Sequence, residues 1–219
     1  MPEPASARSP ARLAERAQLI EGARLLHVPL ADPAAQRLLE LLDELARWSR
    51  AYNLTAIRSR EEMLTHHLLD SLAAHNDLKG KRIADVGTGA GFPGLPLAIV
   101  NPDRDFTLID SSGKKTRFVT HAARTLSLAN VTVVHARVED LRPVPPFETV
   151  LVRAFAGMAE LLAKVRTLCG PGTRVLAMKG RYPAAELAAV GPPWRVVEAR
   201  VLQIPGLEKT RHLILLELS

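Results

Sequence analysis

Cysteine is nearly absent from this chain of 219 residues, in which Cys169 is the only one. A single cysteine excludes an internal disulfide and leaves no cluster of thiols to bind zinc. Such cysteine usage is typical of reducing compartments, so we expect a cytoplasmic protein. With 47% hydrophobic and 24% charged residues, the chain has the composition of a globular protein.

Long apolar segments are also missing. Charged residues interrupt the alanines and leucines of residues 1–33, so the sequence predicts no signal peptide. The longest apolar run, residues 90–100, is broken by glycines and prolines and is far shorter than the roughly 20 residues that a bilayer requires. We therefore expect no membrane partner.

Glycines, by contrast, are concentrated in one loop. Residues 85–94 read Asp-Val-Gly-Thr-Gly-Ala-Gly-Phe-Pro-Gly and directly follow a short apolar run. Glycine lets the backbone turn sharply and approach a ligand closely. The spacing from Gly87 is Gly-x-Gly-x-Gly, whereas a dinucleotide fingerprint would need its third glycine at Phe92. The loop therefore favours S-adenosylmethionine over NAD, and a tight turn without a ligand is the alternative.

An acid follows the loop at the distance expected in a nucleoside-binding unit. Residues 103–110 lead into an apolar strand that ends on Asp110, about 20 residues after Gly87. An acid at the carboxyl end of the second strand can accept hydrogen bonds from ribose hydroxyls. We predict this role for Asp110, and a short helix that begins at Pro93 between the two strands.

The chain is predicted to have three parts. Residues 1–30 form a tail that is disordered or partly helical, and residues 31–78 form a helical extension. Within the extension, one helix should be capped at Asp32-Pro33 and another should begin at a capping box formed by Ser59 and Glu62. The third part alternates between strands and helices, which is typical of an α/β fold with a mainly parallel sheet.

Seven strands are predicted in the third part, residues 79–219. They lie near residues 82–87, 105–110, 131–136, 148–153, 173–178, 194–202 and 211–218. The last two strands are too close in sequence for a crossover helix, so they should form an antiparallel pair. Cys169 is expected at a buried helix end before the fifth strand.

The strand ends predict one cleft. Ligands of open parallel sheets bind at the carboxyl ends of the strands, which places Gly87, Asp110, Glu139 and Arg153 around a common site. Residues 135–140 follow the third strand, where they either edge an adenine ring or simply cap the next turn.

Catalytic side chains are missing after the fourth strand, where the sequence reads Arg153-Ala154-Phe155-Ala156. This segment holds neither an Asn/Asp-Pro-Pro-Tyr motif for methylation of an exocyclic amine nor a thiol for attack on a pyrimidine carbon. Guanine N7 has a free lone pair and no proton, so its methylation would need positioning and electrostatics alone. We therefore assign no catalytic residue, with Arg153 the one candidate contributor. Phe92, Phe155 and Tyr182 either stack on a splayed base or pack in the core.

Two stretches of the chain lack acids although its net charge is +6. They lie between Asp110 and Glu139 and between Glu160 and Glu186, beside the predicted cleft. Their basic residues either form solvated faces or attract RNA phosphates. The residues that we expect to bind RNA are Lys114, Lys115, Arg117, Lys179 and Arg181.

His66, His67 and Asp70 lie close together on one predicted helix. Without a third ligand at matching spacing, a metal site is disfavoured and we predict no bound metal. Packing or hydrogen bonding between the extension and the sheet is the preferred interpretation.

Several separate segments, in this order and spacing, resemble the bacterial ribosomal RNA small subunit methyltransferase G family, also called glucose-inhibited division protein B. The resemblance covers residues 35–217. Its segments are Asn53-Leu54-Thr55-Ala56-Ile57, His67-Leu68-Leu69-Asp70-Ser71-Leu72, the loop 85–94, Asp110-Ser-Ser-Gly-Lys-Lys115, Arg137-Val-Glu139, Arg153-Ala-Phe-Ala156 and Met178-Lys-Gly180.

The resemblance implies a Rossmann-like, seven-stranded S-adenosylmethionine-dependent methyltransferase with an N-terminal helical extension. It implies methylation of N7 of one guanine, usually called guanine 527, in 16S rRNA, either naked or in an assembling small subunit. Phe92 stands where many members have leucine, and Asp110 where some have glutamate. We expect a monomer. The residues predicted to bind the cofactor are Asp85, Gly87, Gly89, Gly91, Phe92, Asp110, Val138, Glu139 and Arg153.

Three other functions remain open from the sequence. The enzyme could methylate another RNA or a small molecule, although the basic stretches disfavour a small substrate. It could be an RNA-binding or ribosome-binding protein without activity, against which the intact loop and Asp110 argue. A nicotinamide dehydrogenase is disfavoured by Phe92.

Overall fold

The computed structural model describes residues 9–153 and 157–219, and its N-terminal part is helical. The helices of this part are α1 (Pro10–Leu25), α2 (Asp32–Tyr52), α3 (Arg60–Met63), a π-helix (Leu64–Leu69) and α4 (Asp70–Leu72). Within the described residues, no helix is both long and apolar enough to cross a membrane.

Capping explains where these helices begin. The Ser9 hydroxyl accepts a hydrogen bond from the Arg12 amide at 3.3 Å, and a proline follows in the first turn of α1. The Ser59 hydroxyl likewise accepts from the amide of Glu62, at 3.4 Å, at the predicted capping box. The prediction for α2 was wrong in one detail, because Ala31 is the N-cap and Asp32 instead forms an ion pair with Arg16 at 2.8 Å.

A seven-stranded sheet forms the centre of the described residues and confirms the predicted α/β fold. The strand order is β3-β2-β1-β4-β5-β7-β6, with β1 to β5 parallel and β7 antiparallel to both of its neighbours. The strands are β1 (Arg82–Val86), β2 (Asp105–Asp110), β3 (Val131–His135), β4 (Phe147–Arg153), β5 (Cys169–Lys179), β6 (Trp194–Leu202) and β7 (Arg211–Leu218).

Cys169 corrects one expectation. It is the first residue of β5 and not a helix end, because its backbone pairs with Phe147 of β4. The side chain is buried, and its thiol donates a hydrogen bond to the Val165 carbonyl at 3.2 Å. Burial raises the pKa of this thiol to about 12.

Helices cover both faces of the sheet. The connecting helices are α5 (Gly94–Val100), α6 (Gly113–Thr125), α7 (Met158–Val165) and α8 (Ala184–Ala188). Alternate residues of a strand point to opposite faces, so Leu151 packs with the N-terminal helices, α5 and α6, whereas Val150 and Val152 pack with α7. Burial on both faces explains why the central strands are continuous apolar runs.

The helical extension packs directly against the sheet. Leu42 and Leu69 of the extension, together with Leu19 of α1, are buried in the same apolar cluster as Leu151 and Leu213 of the strands. Asp77, which is 8% exposed, accepts two hydrogen bonds from Arg200 of β6, at 2.7 and 2.9 Å. Apolar burial and ion pairing together therefore fix the extension on one face of the sheet.

Candidate functional site

The glycine loop bends sharply where β1 ends. Gly87, Gly89 and Gly91 have φ angles of 67°, 61° and 87°, in the left-handed region that favours glycine. The amides of Gly87 and Thr88 donate to the Ile109 carbonyl at 2.8 and 3.1 Å, which ties the loop to the end of β2. The loop therefore lies across the carboxyl ends of two neighbouring strands.

Asp85 lies beneath the loop and holds it in place. Its Oδ2 atom accepts hydrogen bonds from the Thr88 hydroxyl at 2.6 Å and from the Gly94 amide at 2.8 Å. A Cβ atom on Gly94 would lie 2.7 Å from the same oxygen, so only glycine fits there. Burial raises the pKa of Asp85 to about 6 although these hydrogen bonds oppose the shift. Its Oδ1 atom is buried and has no hydrogen-bond partner among the described residues.

Asp110 holds the other side of the loop. Its Oδ2 atom accepts from the Gly89 amide at 2.9 Å, and its Oδ1 atom accepts from the Ser112 amide at 2.8 Å. The Lys115 ammonium lies 4.0 Å from Oδ2. A carboxylate offers about four acceptor sites, so two remain for hydroxyl donors of a ligand.

A cleft of about 430 Å³ opens at the carboxyl ends of β1 to β4. Among the described residues, its walls include five of those predicted to bind the cofactor, namely Gly87, Asp110, Val138, Glu139 and Arg153. Lys115 and Lys164 also line it, and the Lys164 ammonium lies 3.9 Å from the Glu139 carboxylate. The structure thus brings together segments that are far apart in sequence.

The other predicted cofactor residues belong to the glycine loop and are not among the described residues that line this cleft. Asp85 is the buried support, Gly89 orients Asp110, and Gly91 forms the turn, where a Cβ atom would lie 2.3 Å from Leu95. The Phe92 ring is buried and stacks on His67 of the π-helix, with ring centroids 4.8 Å apart.

Arg153 is fixed by the helical extension. Its Nη1 atom donates to the Asp70 carboxylate at 3.1 Å, and its guanidinium lies 6.0 Å from the centre of the Phe92 ring. Arg211 of β7 donates to the second Asp70 oxygen, also at 3.1 Å. Asp70 is 2% exposed, so two guanidinium groups share one buried carboxylate. These contacts confirm hydrogen bonding between the extension and the sheet.

His67 completes this junction. Its Nε2 atom lies 3.0 Å from the Thr55 hydroxyl, and its Nδ1 atom has no hydrogen-bond partner among the described residues. Burial, followed by the charges of Arg153 and His66, lowers the pKa of His67 to about 4. In residues 9–153 and 157–219, no group of three or more His, Cys, Asp or Glu side chains is arranged to hold a metal.

The residues predicted to bind RNA lie in different places. Lys114 and Arg117 are exposed on α6, whereas Lys115 faces the cleft. Lys179 follows the residue of β5 that pairs with Arg153, and its ammonium lies 3.1 Å from Glu186. Arg181 is exposed just beyond it.

The three aromatic candidates also differ in position. The Phe92 ring is buried, whereas Tyr182 is 54% exposed and makes an edge contact with His212 at 5.6 Å. Phe155 lies outside the described residues. Of the two described rings, Tyr182 is the one that a base could reach.

Sequence reasoning missed two features of this region. The pairing of Asp70 with Arg153 was not anticipated, although the spacing of His67 and Asp70 had drawn attention to that helix. The second feature is a contact between Trp48 of α2 and His121 of α6, with ring centroids 4.9 Å apart. No local motif marks this pair, because the two residues are far apart in the chain.

The buried His67 makes stability depend on pH. Its pKa is about 4 in the folded protein and 6.5 ordinarily, so between these values the unfolded chain binds the additional proton. The stabilisation is fully present above pH 6.5 and is lost as the pH falls toward 4. Asp85 has the opposite effect between pH 3.8 and about 6, because its folded pKa is raised.

Comparison with His67→Gln isolates the histidine, because both proteins retain Asp85. Between about pH 7 and about pH 4, the difference in their free energies of unfolding should shrink by on the order of 3 kcal/mol. Denaturant titrations at several pH values measure this difference. A difference that stays constant across the range would show that His67 titrates normally.

Comparison with known proteins identifies the family. The family model described as rRNA small subunit methyltransferase G matches residues 34–214. Ribosomal RNA small subunit methyltransferase G of Ectopseudomonas mendocina is 44% identical over 204 residues, which cover 92% of this chain and 95% of that protein.

Solved structures support the fold alone. A SAM-dependent methyltransferase from Aquifex aeolicus has a TM-score of 0.55 at 16% identity, covering 76% of this chain and 97% of its own. A SAM-dependent methyltransferase from Geobacter sulfurreducens, solved with S-adenosyl-L-homocysteine, has a TM-score of 0.53 at 15% identity, covering 81% and 98%. The match over most of the sequence, together with the seven-stranded sheet, shows that this chain belongs to the rRNA small subunit methyltransferase G family.

Proposed function

We propose that this enzyme transfers a methyl group from S-adenosylmethionine to N7 of a guanine in 16S rRNA, the base usually called guanine 527. The observation that carries the proposal is the cleft in which Gly87, Asp110, Val138, Glu139 and Arg153 meet. Membership of an rRNA methyltransferase family supports ribosomal RNA as the substrate. The proposed enzyme is a monomer that works in the cytoplasm on naked rRNA or on an assembling subunit.

The described residues fit the cofactor. Bound S-adenosylmethionine would supply an electrophilic methyl group on a positively charged sulfonium. The two free acceptor positions of Asp110 suit ribose hydroxyls. Val138 and Glu139 border the cleft after β3, where they would edge the adenine ring.

The charge of Arg153 is partly offset inside the protein by Asp70, which also binds Arg211. A bare guanidinium in this cleft would repel a sulfonium cation, since like charges destabilise each other at close range. Its hydrogen bond to Asp70 reduces that repulsion and leaves the remaining N–H groups able to hold the cofactor. Asp70 thus acts as a positioning residue that works through Arg153.

N7 of guanine is the target that best suits these side chains. Its lone pair is free at neutral pH, so no protein group must remove a proton. Attack on a pyrimidine carbon would need a thiolate, but Cys169 is buried at the start of β5 with its pKa raised to about 12. The cleft lies at the opposite end of the parallel strands. Positioning and fixed charges therefore account for the proposed chemistry.

Replacing Asp70 tests the positioning role, with Asp77 as a matched control. Asp70→Asn and Asp77→Asn each remove a buried carboxylate that binds arginine, so each should lower the free energy of unfolding by about 3 kcal/mol. Only Asp70→Asn should also weaken S-adenosylmethionine binding, by about tenfold. Calorimetric titration of both folded variants with S-adenosylmethionine makes the comparison. Equal affinities of the two variants would show that Asp70 does not position Arg153 for cofactor binding.

The pH dependence of methyl transfer tests the proposed target. With saturating 16S rRNA from cells lacking the enzyme, the single-turnover rate should be nearly constant across neutral pH, because N7 needs no base. Labelled methyl should be found at one guanine by borohydride and aniline cleavage, which is selective for 7-methylguanine. A steep single-proton dependence of the rate, or label on another atom, would favour methylation of a different position.

A further inference from the structure

A second groove lies beside the cofactor cleft, on α6 and the edge strand β3. It encloses about 760 Å³, and the residues that matter for its chemistry are Trp48, Lys114, Arg117, His121, Arg124 and His135. β3 pairs with β2 on one side only, so the groove follows the open edge of the sheet. We call it the α6 groove.

The α6 groove is positively charged. Lys114, Arg117 and Arg124 are exposed, and among the described residues their side chains form no hydrogen bond or ion pair. No acidic residue is among the described residues that line the groove. Glu44, beneath its rim, is buried and already binds His121 at 2.9 Å. Three unpaired cations in one groove are suited to a polyanion.

The Trp48 ring forms part of one wall of the groove. The Trp48 ring is partly exposed and lies 4.9 Å from His121 and 5.4 Å from Tyr52. Tyr52 is one turn further along α2 and is 44% exposed. Flat rings beside cations allow unpaired bases to stack while their phosphates contact the basic side chains.

The groove adjoins the cofactor cleft. Lys114 lines the groove, whereas the next residue, Lys115, lines the cleft and lies 4.0 Å from Asp110. The His135 ring faces the groove, and its Nε2 atom lies 3.1 Å from the carbonyl of Ser111, which borders the cleft. A strand of nucleic acid could therefore extend from one site to the other.

We propose that the α6 groove binds a single-stranded segment of the RNA substrate next to the methylated base. Lys114, Arg117 and Arg124 contact its phosphates, and an unpaired base stacks on Trp48. This inference rests on the proposed function, since it assumes that RNA enters the adjoining cleft. An acidic protein segment would match the charge but would not stack on the partly exposed Trp48 ring, so this ring favours RNA.

Salt dependence tests the phosphate contacts. Arg117→Gln with Arg124→Gln removes two charges from the groove, whereas the control Arg24→Gln with Arg195→Gln removes two exposed arginines from α1 and β6. Loss of two contacts should reduce the slope of log affinity against log salt by about 1.4 for 16S rRNA, and the control should keep the parent slope. Equal slopes in both variants would overturn the proposal.

Tryptophan fluorescence tests the stacking. The chain has two tryptophans, Trp48 and the buried Trp194, so Trp194→Phe leaves Trp48 as the reporter. Binding of 16S rRNA should quench its emission, and the groove double variant should require more RNA for the same quenching. Bound RNA that leaves the emission unchanged would overturn the stacking assignment.

The same variants separate this inference from the proposed function. If the groove variant lost affinity for small subunits but not for naked rRNA, the groove would bind a ribosomal protein and the RNA assignment would be wrong. If the parent protein methylated rRNA, and the groove variant bound rRNA with the same salt dependence as the control variant, only the groove assignment would fail. If the parent neither bound nor methylated rRNA, the proposed function itself would fail.

Discussion

The carboxylate of Asp85 lies where β1, the glycine loop and α5 meet, and the geometry of the site depends on it. One oxygen fixes the Thr88 hydroxyl and the Gly94 amide, while Asp110 fixes the Gly89 amide from the neighbouring strand. The loop is therefore held before any ligand binds, which spares the ordering entropy that a mobile loop would lose. Burial of Asp85 raises its pKa to about 6, so the free energy of unfolding falls as the pH rises from 3.8 toward that value and the carboxyl group becomes charged.

A second buried carboxylate connects the helical extension to the same site. Asp70 binds Arg153 at the end of β4 and Arg211 at the start of β7, and His67 stacks on Phe92 of the loop. The extension thus forms part of the cleft's supporting shell, and preorganised support of this kind is what positions groups for transfer chemistry. Its π-helix lies at this junction, as such turns often do at functional sites.

The sequence predicted most of the fold because its strands are short apolar runs separated by strong turn signals. It also predicted the cleft, since parallel strands place Gly87, Asp110, Glu139 and Arg153 at one edge. Cys169 was misplaced because strand pairing with Phe147 overrides the local Gly-Pro-Gly signal. The Asp70 pairing and the Trp48 wall could not be predicted, because they join residues whose proximity depends on how the extension packs.

The central claim is that the loop and Asp110 form a site for S-adenosylmethionine. Calorimetric titration of the protein and of Asp110→Asn with S-adenosylmethionine, and with NAD as the competing nucleotide, tests this claim most directly. Binding of S-adenosylmethionine should be about ten- to a hundredfold weaker in Asp110→Asn, because charge-assisted hydrogen bonds are worth about 1.5 to 3 kcal/mol. NAD should produce no heat of binding. Equal affinity of both proteins for S-adenosylmethionine, or preferential binding of NAD, would contradict the account.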